Sequence, residues 1–182
     1  MVPLGTKAPD FSLPEVISGE KITLKQVADQ KKATVVMFLC NHCPYVQHIQ
    51  EVLVQRAKHY LKQGVGFVAI SSNDVTNYPE DNPVAMAQVA VDWQFPFPYL
   101  YDETQDVARA YHAACTPDFF VYDANLALVY RGQLDQARPG KSHPVTGNDL
   151  FSALDCVISG KQVNPEQHPS MGCNIKWKQA AR

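Results

Sequence analysis

Cys40-Asn41-His42-Cys43 places two thiols two residues apart, with Pro44 directly after the second. Thiol–disulfide exchange needs a thiolate to attack a disulfide sulfur and a second thiol to release the resulting mixed disulfide. A gap of two residues suits such a pair, and in a strand–helix setting it reads as a redox motif. Pro44 favours the first helical position, which makes Cys43 the residue at the helix N-cap. Unpaired amides and the positive end of the helix dipole stabilise a thiolate there, lowering its pKa from ~8.5 into the range ~3.5–7.5. Cys43 is therefore expected to be the nucleophile and Cys40 its nearest resolving partner. His42, when protonated, would further favour a thiolate.

Two other readings compete with this one. Free cysteine is among the most buried residue types, so the pair could be inert core. A metal is the second alternative, with Cys40, His42, Cys43 and the remote Cys173 as a four-ligand set. The adjacency of His42 and Cys43 makes their simultaneous ligation awkward. The expectation is accordingly no metal and no other cofactor.

The elements around the motif follow from hydrophobic patterning. Residues 33–39 form an apolar, β-branched run without alternation, as in a strand buried on both faces. Residues 44–62 carry Val46, Ile49, Leu53, Ala57 and Tyr60 at helical spacing, and Gly64 stops them. Residues 65–71 are a second buried strand, completing a βαβ unit with parallel strands. The motif thus lies at the carboxyl end of a strand, where sites gather in open α/β sheets. Residues 73–81 read as a loop, 83–93 as a helix, 97–101 as a strand and 103–112 as a helix. A hairpin turning at Asp123-Ala124-Asn125 joins strands over 118–122 and 126–131. A last helix covers 146–159, with Thr146 or Asn148 as cap, and residues 161–182 form a tail with an apolar cluster at Ile175 and Trp177. Near the N-terminus, 10–13 and 21–24 read as two short extended runs. The order predicts an α/β layered sheet closed by an antiparallel hairpin.

Composition narrows the function classes. The chain has 182 residues, 46% hydrophobic and 19% charged, which suits one globular domain over 1–182. A net charge of −2 with no basic run argues against nucleic acid and anionic membrane surfaces. No apolar stretch approaches the ~20 residues of a membrane span, and the first residues lack a signal-peptide pattern. A cytoplasmic protein is expected, in which the five cysteines serve as free or catalytic thiols rather than structural disulfides.

The stretch from Phe38 to Val46, the run Thr116-Pro117-Asp118-Phe119-Phe120 and the segment Asp135 to Gly140 together resemble the thioredoxin-like superfamily. More closely, they resemble a peroxiredoxin-like subgroup of the alkyl hydroperoxide reductase/thiol-specific antioxidant (AhpC/TSA) family. The resemblance spans roughly residues 5–160, and Gly172 to Trp177 is also similar to that subgroup. It implies a thioredoxin-like fold of three layers around a mixed central sheet, with an N-terminal extension and a C-terminal tail over 161–182. It also implies a cis Thr116–Pro117 bond facing the cysteines, with Thr116-Pro117 as the edge on which a peptide docks. That bond would bring Cys115 near Cys43 as a candidate resolving thiol, the alternative being a small core residue. Cys173 would resolve a disulfide if the tail folds over the site, as C-terminal cysteines do in two-cysteine peroxiredoxins, the alternative being a tail that is merely packed. Cys156 is expected in the core.

The chain departs from the peroxiredoxin pattern. Cys43 aligns with the position of the peroxidase threonine and Val46 with that of the peroxide-attacking cysteine. The leading expectation is thus an antioxidant thiol–disulfide oxidoreductase acting on protein or small-molecule disulfides with a reducing partner. A thiol peroxidase and a non-enzymatic redox-sensing or metal-binding module are the alternatives. A homodimer is left open.

Overall fold

The computed structural model describes residues 1–179; the last three residues of the predicted tail lie outside the described residues. A small antiparallel pair, β1 (Ser12–Pro14) and β2 (Lys21–Thr23), precedes a short helix α1 (Leu24–Ala28). The βαβ unit follows as β3 (Ala33–Phe38), α2 (Pro44–Leu61) and β4 (Val65–Ser71). Then come α3 (Pro83–Asp92), β5 (Tyr99–Tyr101), α4 (Asp106–Ala110), β6 (Cys115–Thr116), β7 (Asp118–Asp123), β8 (Leu128–Gly132), α5 (Asn148–Ile158) and β9 (Cys173–Asn174).

The central sheet has the order β5-β4-β3-β7-β8. β3 runs parallel to β4 and antiparallel to β7, so the sheet is mixed, and β3 sits at its centre. All six residues of β3 are buried, and their alternation divides them between two cores. Val35 and Met37 face a layer built from α2, α3 and α5, including Leu53, Met86 and Phe151. Val36 and Phe38 face the other layer, with Val27 of α1, Ala108 of α4 and Ile175 of the tail. Burial on both faces is why this strand shows no polar–apolar alternation.

Several local expectations change. Leu24 starts α1 rather than ending a strand, because Thr23 and Gln26 form a reciprocal capping box. The helix expected over 103–112 is reduced to α4, since Asp102 ties down the amides of Val107 and Ala108 and thereby fixes its start. Neither Thr146 nor Asn148 caps α5; Gly147 does so at φ 70°, without a side-chain bond. Cys156 is half-buried instead of core, and Trp177 is 41% exposed while Ile175 beside it is buried. Among the described residues, no helix is long and apolar enough to cross a membrane.

Candidate active site

Beyond β3 the chain continues through Leu39, whose amide bonds to the Ile70 carbonyl at 3.0 Å, and enters the motif at Cys40. Asp81, fully buried, fixes the turn. One of its oxygens accepts the Asn41 amide at 2.8 Å and the other the Asn73 side chain at 2.8 Å. The Asn41 side chain donates to the Glu80 carbonyl, and its oxygen accepts from the Tyr99 hydroxyl. This lattice orients the cysteines, yet from sequence 73–81 was only a polar loop. Asn73 and Asp81 were missed because their partners are far away along the chain.

Cys43 is the N-cap of α2 with Pro44 in the first turn, and its thiol is fully buried. Opposite it, the Thr116–Pro117 peptide is cis. The Thr116 carbonyl oxygen lies 3.2 Å from the Cys43 sulfur, and the Thr116 hydroxyl 3.2 Å from the Cys40 sulfur. The tail adds a third thiol: β9 pairs antiparallel with β6, Thr116 opposite Cys173. The Cys173 sulfur thereby lies 2.8 Å from that of Cys43. Both cysteines are unbonded thiols, and the separation exceeds the ~2.05 Å of a disulfide.

The electrostatics of the three sulfurs diverge. The hydrogen bond from Cys40 lowers the Cys43 thiol to about 4. Burial opposes this, while Cys173 and the Val46 amide at the start of α2 reinforce it. Cys40 is pushed far up, first because its proton is held by Cys43, then by burial and by the charge of Asp81. Cys173 rises to about 11, first through burial and then through its contact with Cys43. The site therefore concentrates one negative charge on Cys43 and keeps protons on its two neighbours.

The remaining candidates are placed differently from one another. His42 points away from Cys43: its Nδ1 lies 2.5 Å from an Asp81 oxygen, and its ring stacks on Tyr78. Cys115 is buried, its sulfur 3.7 Å from the Pro117 carbonyl, and burial pushes it to about 12. The ligand atoms of Cys40, His42 and Asp81 lie within 4.8 Å of one another, a different set from the four considered above. Asp81 already serves Asn41 and Asn73, and Cys40 holds its proton tightly, so the cluster is suited to bracing the turn more than to binding a cation.

A cavity of about 550 Å³ lies on the other side of β7, lined by Cys115, Asp118, Tyr111, Tyr122 and Arg131 among others. Asp118 is buried at its wall, and burial raises its carboxyl to about 6 against the amides of Ala114 and Phe119. An acid whose folded pKa lies above its unfolded ~3.9 binds more protons when folded, so stability falls as pH rises between the two values. Below about pH 4 there is no cost, and above about pH 6 the full cost persists. Asp118→Asn is therefore expected to gain on the parent as pH rises through this window, by roughly 1–3 kcal/mol. Thermal melts from pH 4 to 7 check this; a constant difference between the two proteins refutes it.

The family model described as "AhpC/TSA family" matches residues 4–131. An uncharacterized conserved protein from Geobacillus kaustophilus has 54% identity and a TM-score of 0.96, with 100% of this chain and 95% of that chain covered. A hypothetical protein from Sinorhizobium meliloti 1021 has 47% identity and a TM-score of 0.96, covering 99% and 97%. More distantly, a peroxidoxin from Mycobacterium tuberculosis superposes at a TM-score of 0.65 with 18% identity, covering 87% and 98%. The thioredoxin domain of a thiol-disulfide oxidoreductase from Bacteroides vulgatus gives 0.66 with 14% identity, covering 87% and 99%. These last two share the fold, which is thioredoxin-like. No curated protein matches. The family match covers well over half of the sequence and includes the motif turn, α2 and the cis-proline that faces them; the chain belongs to the AhpC/TSA family.

Proposed function

We propose that the protein is a thiol–disulfide oxidoreductase in which the Cys43 thiolate attacks a substrate disulfide and a second thiol of the site releases the product. The observation that carries this reading is the placement of the Cys43 thiol at the N-cap of α2, facing cis-Pro117 and with the Cys173 sulfur 2.8 Å away, and the charge arrangement agrees with it. Cys43 is lowered to about 4 while the thiols beside it are raised. Such a site holds a thiolate at neutral pH with reduced partners ready to close on the mixed disulfide. Thr116 and cis-Pro117 form the wall opposite Cys43, and the tail strand β9, rather than a docked peptide, occupies the edge beside them. Substrates on this reading are protein or small-molecule disulfides, with a reducing partner to regenerate the thiols. The proposed setting is the cytoplasm, where five free cysteines remain reduced. Cys40, Cys43 and Cys173 come from one chain, so a homodimer would carry a complete site in each protomer.

Peroxide reduction is less well supported. Fast reaction needs donors preorganised around the peroxide oxygens. The Thr116 hydroxyl is engaged with Cys40. Arg131 is committed to the Val2 carbonyl and Gln167, and Arg138 to the Asp135 and Ala137 carbonyls and Gln133. The expected result is rapid reduction of an aromatic disulfide and slow oxidation by hydrogen peroxide, both followed by stopped flow on the reduced protein. A peroxide rate constant near ~10⁸ M⁻¹s⁻¹ that requires Cys43 would replace this reading with a peroxidase.

A further inference from the structure

The edge beside cis-Pro117, where an outside peptide would add as a strand, is already filled by the chain itself. β9 pairs there with Thr116 opposite Cys173. This is strand addition, in which backbone pairing sets the register and the register sets the side chain. Here the register delivers a sulfur to 2.8 Å from the Cys43 sulfur. Gly172 is what lets the strand come so close, since a Cβ there would lie 2.0 Å from the Thr116 carbonyl oxygen. Beyond the strand the tail is latched. Ile175 is 3% exposed in the core. The Lys176 amide bonds to Asn73, and its carbonyl accepts the Asp74 amide and the Gln105 side chain. The position of Cys173 is thus fixed from both sides.

We propose that Cys173, rather than Cys40, is the resolving thiol, so that the catalytic disulfide joins Cys43 to Cys173 and the tail strand acts as a built-in partner for the nucleophile.

This rests on Cys43 being the nucleophile, as proposed above. In the first step the Cys43 thiolate attacks one sulfur of a disulfide, forming a mixed disulfide and expelling one thiolate of the substrate. In the second, Cys173 gives its proton to solvent, attacks the Cys43 sulfur and expels the other substrate thiolate. Two electrons pass from the two cysteines to the substrate disulfide, and an external dithiol restores the reduced pair. The charge transfer favours this order. Cys173 is held protonated by burial and by the Cys43 charge, and the mixed disulfide removes that charge. Cys40 gains the same relief, and burial and the charge of Asp81 oppose the ionisation of both thiols, but Cys40 is only 2% exposed whereas Cys173 is half-buried, so the cost of ionising falls more heavily on Cys40. Cys173 is moreover held by the strand register at 2.8 Å from the sulfur it must attack, and reacting atoms held at contact distance gain several orders of magnitude in effective concentration.

The experiment treats the reduced full-length protein with an aromatic disulfide that releases a coloured thiol, then maps cysteine linkages by mass spectrometry without reduction. The parent and Cys40→Ser should both close to a Cys43–Cys173 linkage and retain no adduct. Cys173→Ser should still release the first thiol, then hold the adduct on Cys43, with release of the second slowed at least about 100-fold relative to the parent. Cys173→Ala is the companion variant, and the linkage map of the parent needs no variant at all. A Cys40–Cys43 linkage in the parent, or unimpaired closure in Cys173→Ser, overturns the proposal while leaving Cys43 as nucleophile. A stable adduct on Cys43 in the parent also overturns it. If Cys43 releases no thiol from the probe in the first step, the oxidoreductase reading itself fails and the proposal fails with it.

Discussion

Cys43→Ser is expected to abolish disulfide reduction, whereas Cys40→Ala leaves the reaction intact but displaces its pH midpoint upward. A serine hydroxyl does not ionise near neutrality, so the first variant has no nucleophile. The second removes the largest contribution holding Cys43 near 4, the hydrogen bond from the Cys40 thiol. Cys173 and the Val46 amide remain, so the new midpoint should lie between about 4 and the unperturbed ~8.5. Each unit of rise costs tenfold in thiolate at a pH below both midpoints. It also raises the intrinsic nucleophilicity of the thiolate by roughly threefold, given a Brønsted coefficient of ~0.4–0.5. Cys40→Ala should therefore be slower than the parent in acid by about threefold per unit and faster than the parent at alkaline pH. Alkylation with a small haloacetamide across pH 3 to 10 reads both limbs. Curves that coincide, or a midpoint for the parent near 8.5, would falsify the assignment of Cys43 as the activated thiol.

The second large effect is expected from a single methyl group. In Gly172→Ala the new Cβ would stand 2.0 Å from the Thr116 carbonyl oxygen and 2.7 Å from its carbon. Both are backbone atoms, so the clash is relieved only by moving one strand off the other. Thr116 leads directly into β7, which is paired on both sides within the sheet; β9 has only β6. The tail strand is the side that yields. The whole tail does not leave, because burial of Ile175 contributes about 1.5–3 kcal/mol and each hydrogen bond to Lys176 about 1 kcal/mol. The expected product is a tail still latched at Ile175 with Cys173 withdrawn from Cys43. Cys43, fully buried in the parent, then becomes reachable. Its alkylation by a bulky maleimide at neutral pH should rise by about tenfold or more, as local opening no longer has to precede reaction. Closure to Cys43–Cys173 should slow in parallel. Unchanged rates in both assays would show that the strand accommodates the methyl and that Gly172 does not set the approach.

The sequence alone determined the parts that depend on neighbours along the chain. An apolar β-branched run, a helix with its apolar face at regular spacing and a second apolar run specify a βαβ unit, because backbone pairing and periodicity are local constraints. Pro44 after Cys43 specified a thiol at a helix N-cap for the same reason. The resemblance carried by Phe38–Val46 and Thr116–Phe120 led to the AhpC/TSA family, and the family match agrees. Other features were decided only in three dimensions. Asp81 braces the motif turn from about forty residues away, and nothing in the loop that holds it marks it as a partner of Asn41. His42, adjacent to Cys43 in sequence, turns toward Asp81 instead, because a side chain's direction depends on its local backbone and on the acceptor that buries with it. Cys173 meets Cys43 across 130 residues. That meeting depends on a two-residue strand, a glycine with no Cβ and an isoleucine anchor. The sequence marked Ile175 as apolar and offered Cys173 on condition that the tail fold over the site. The two-residue strand and the glycine approach that meet that condition are too short a signal to read there, and they act only once the sheet has provided an edge for them to join.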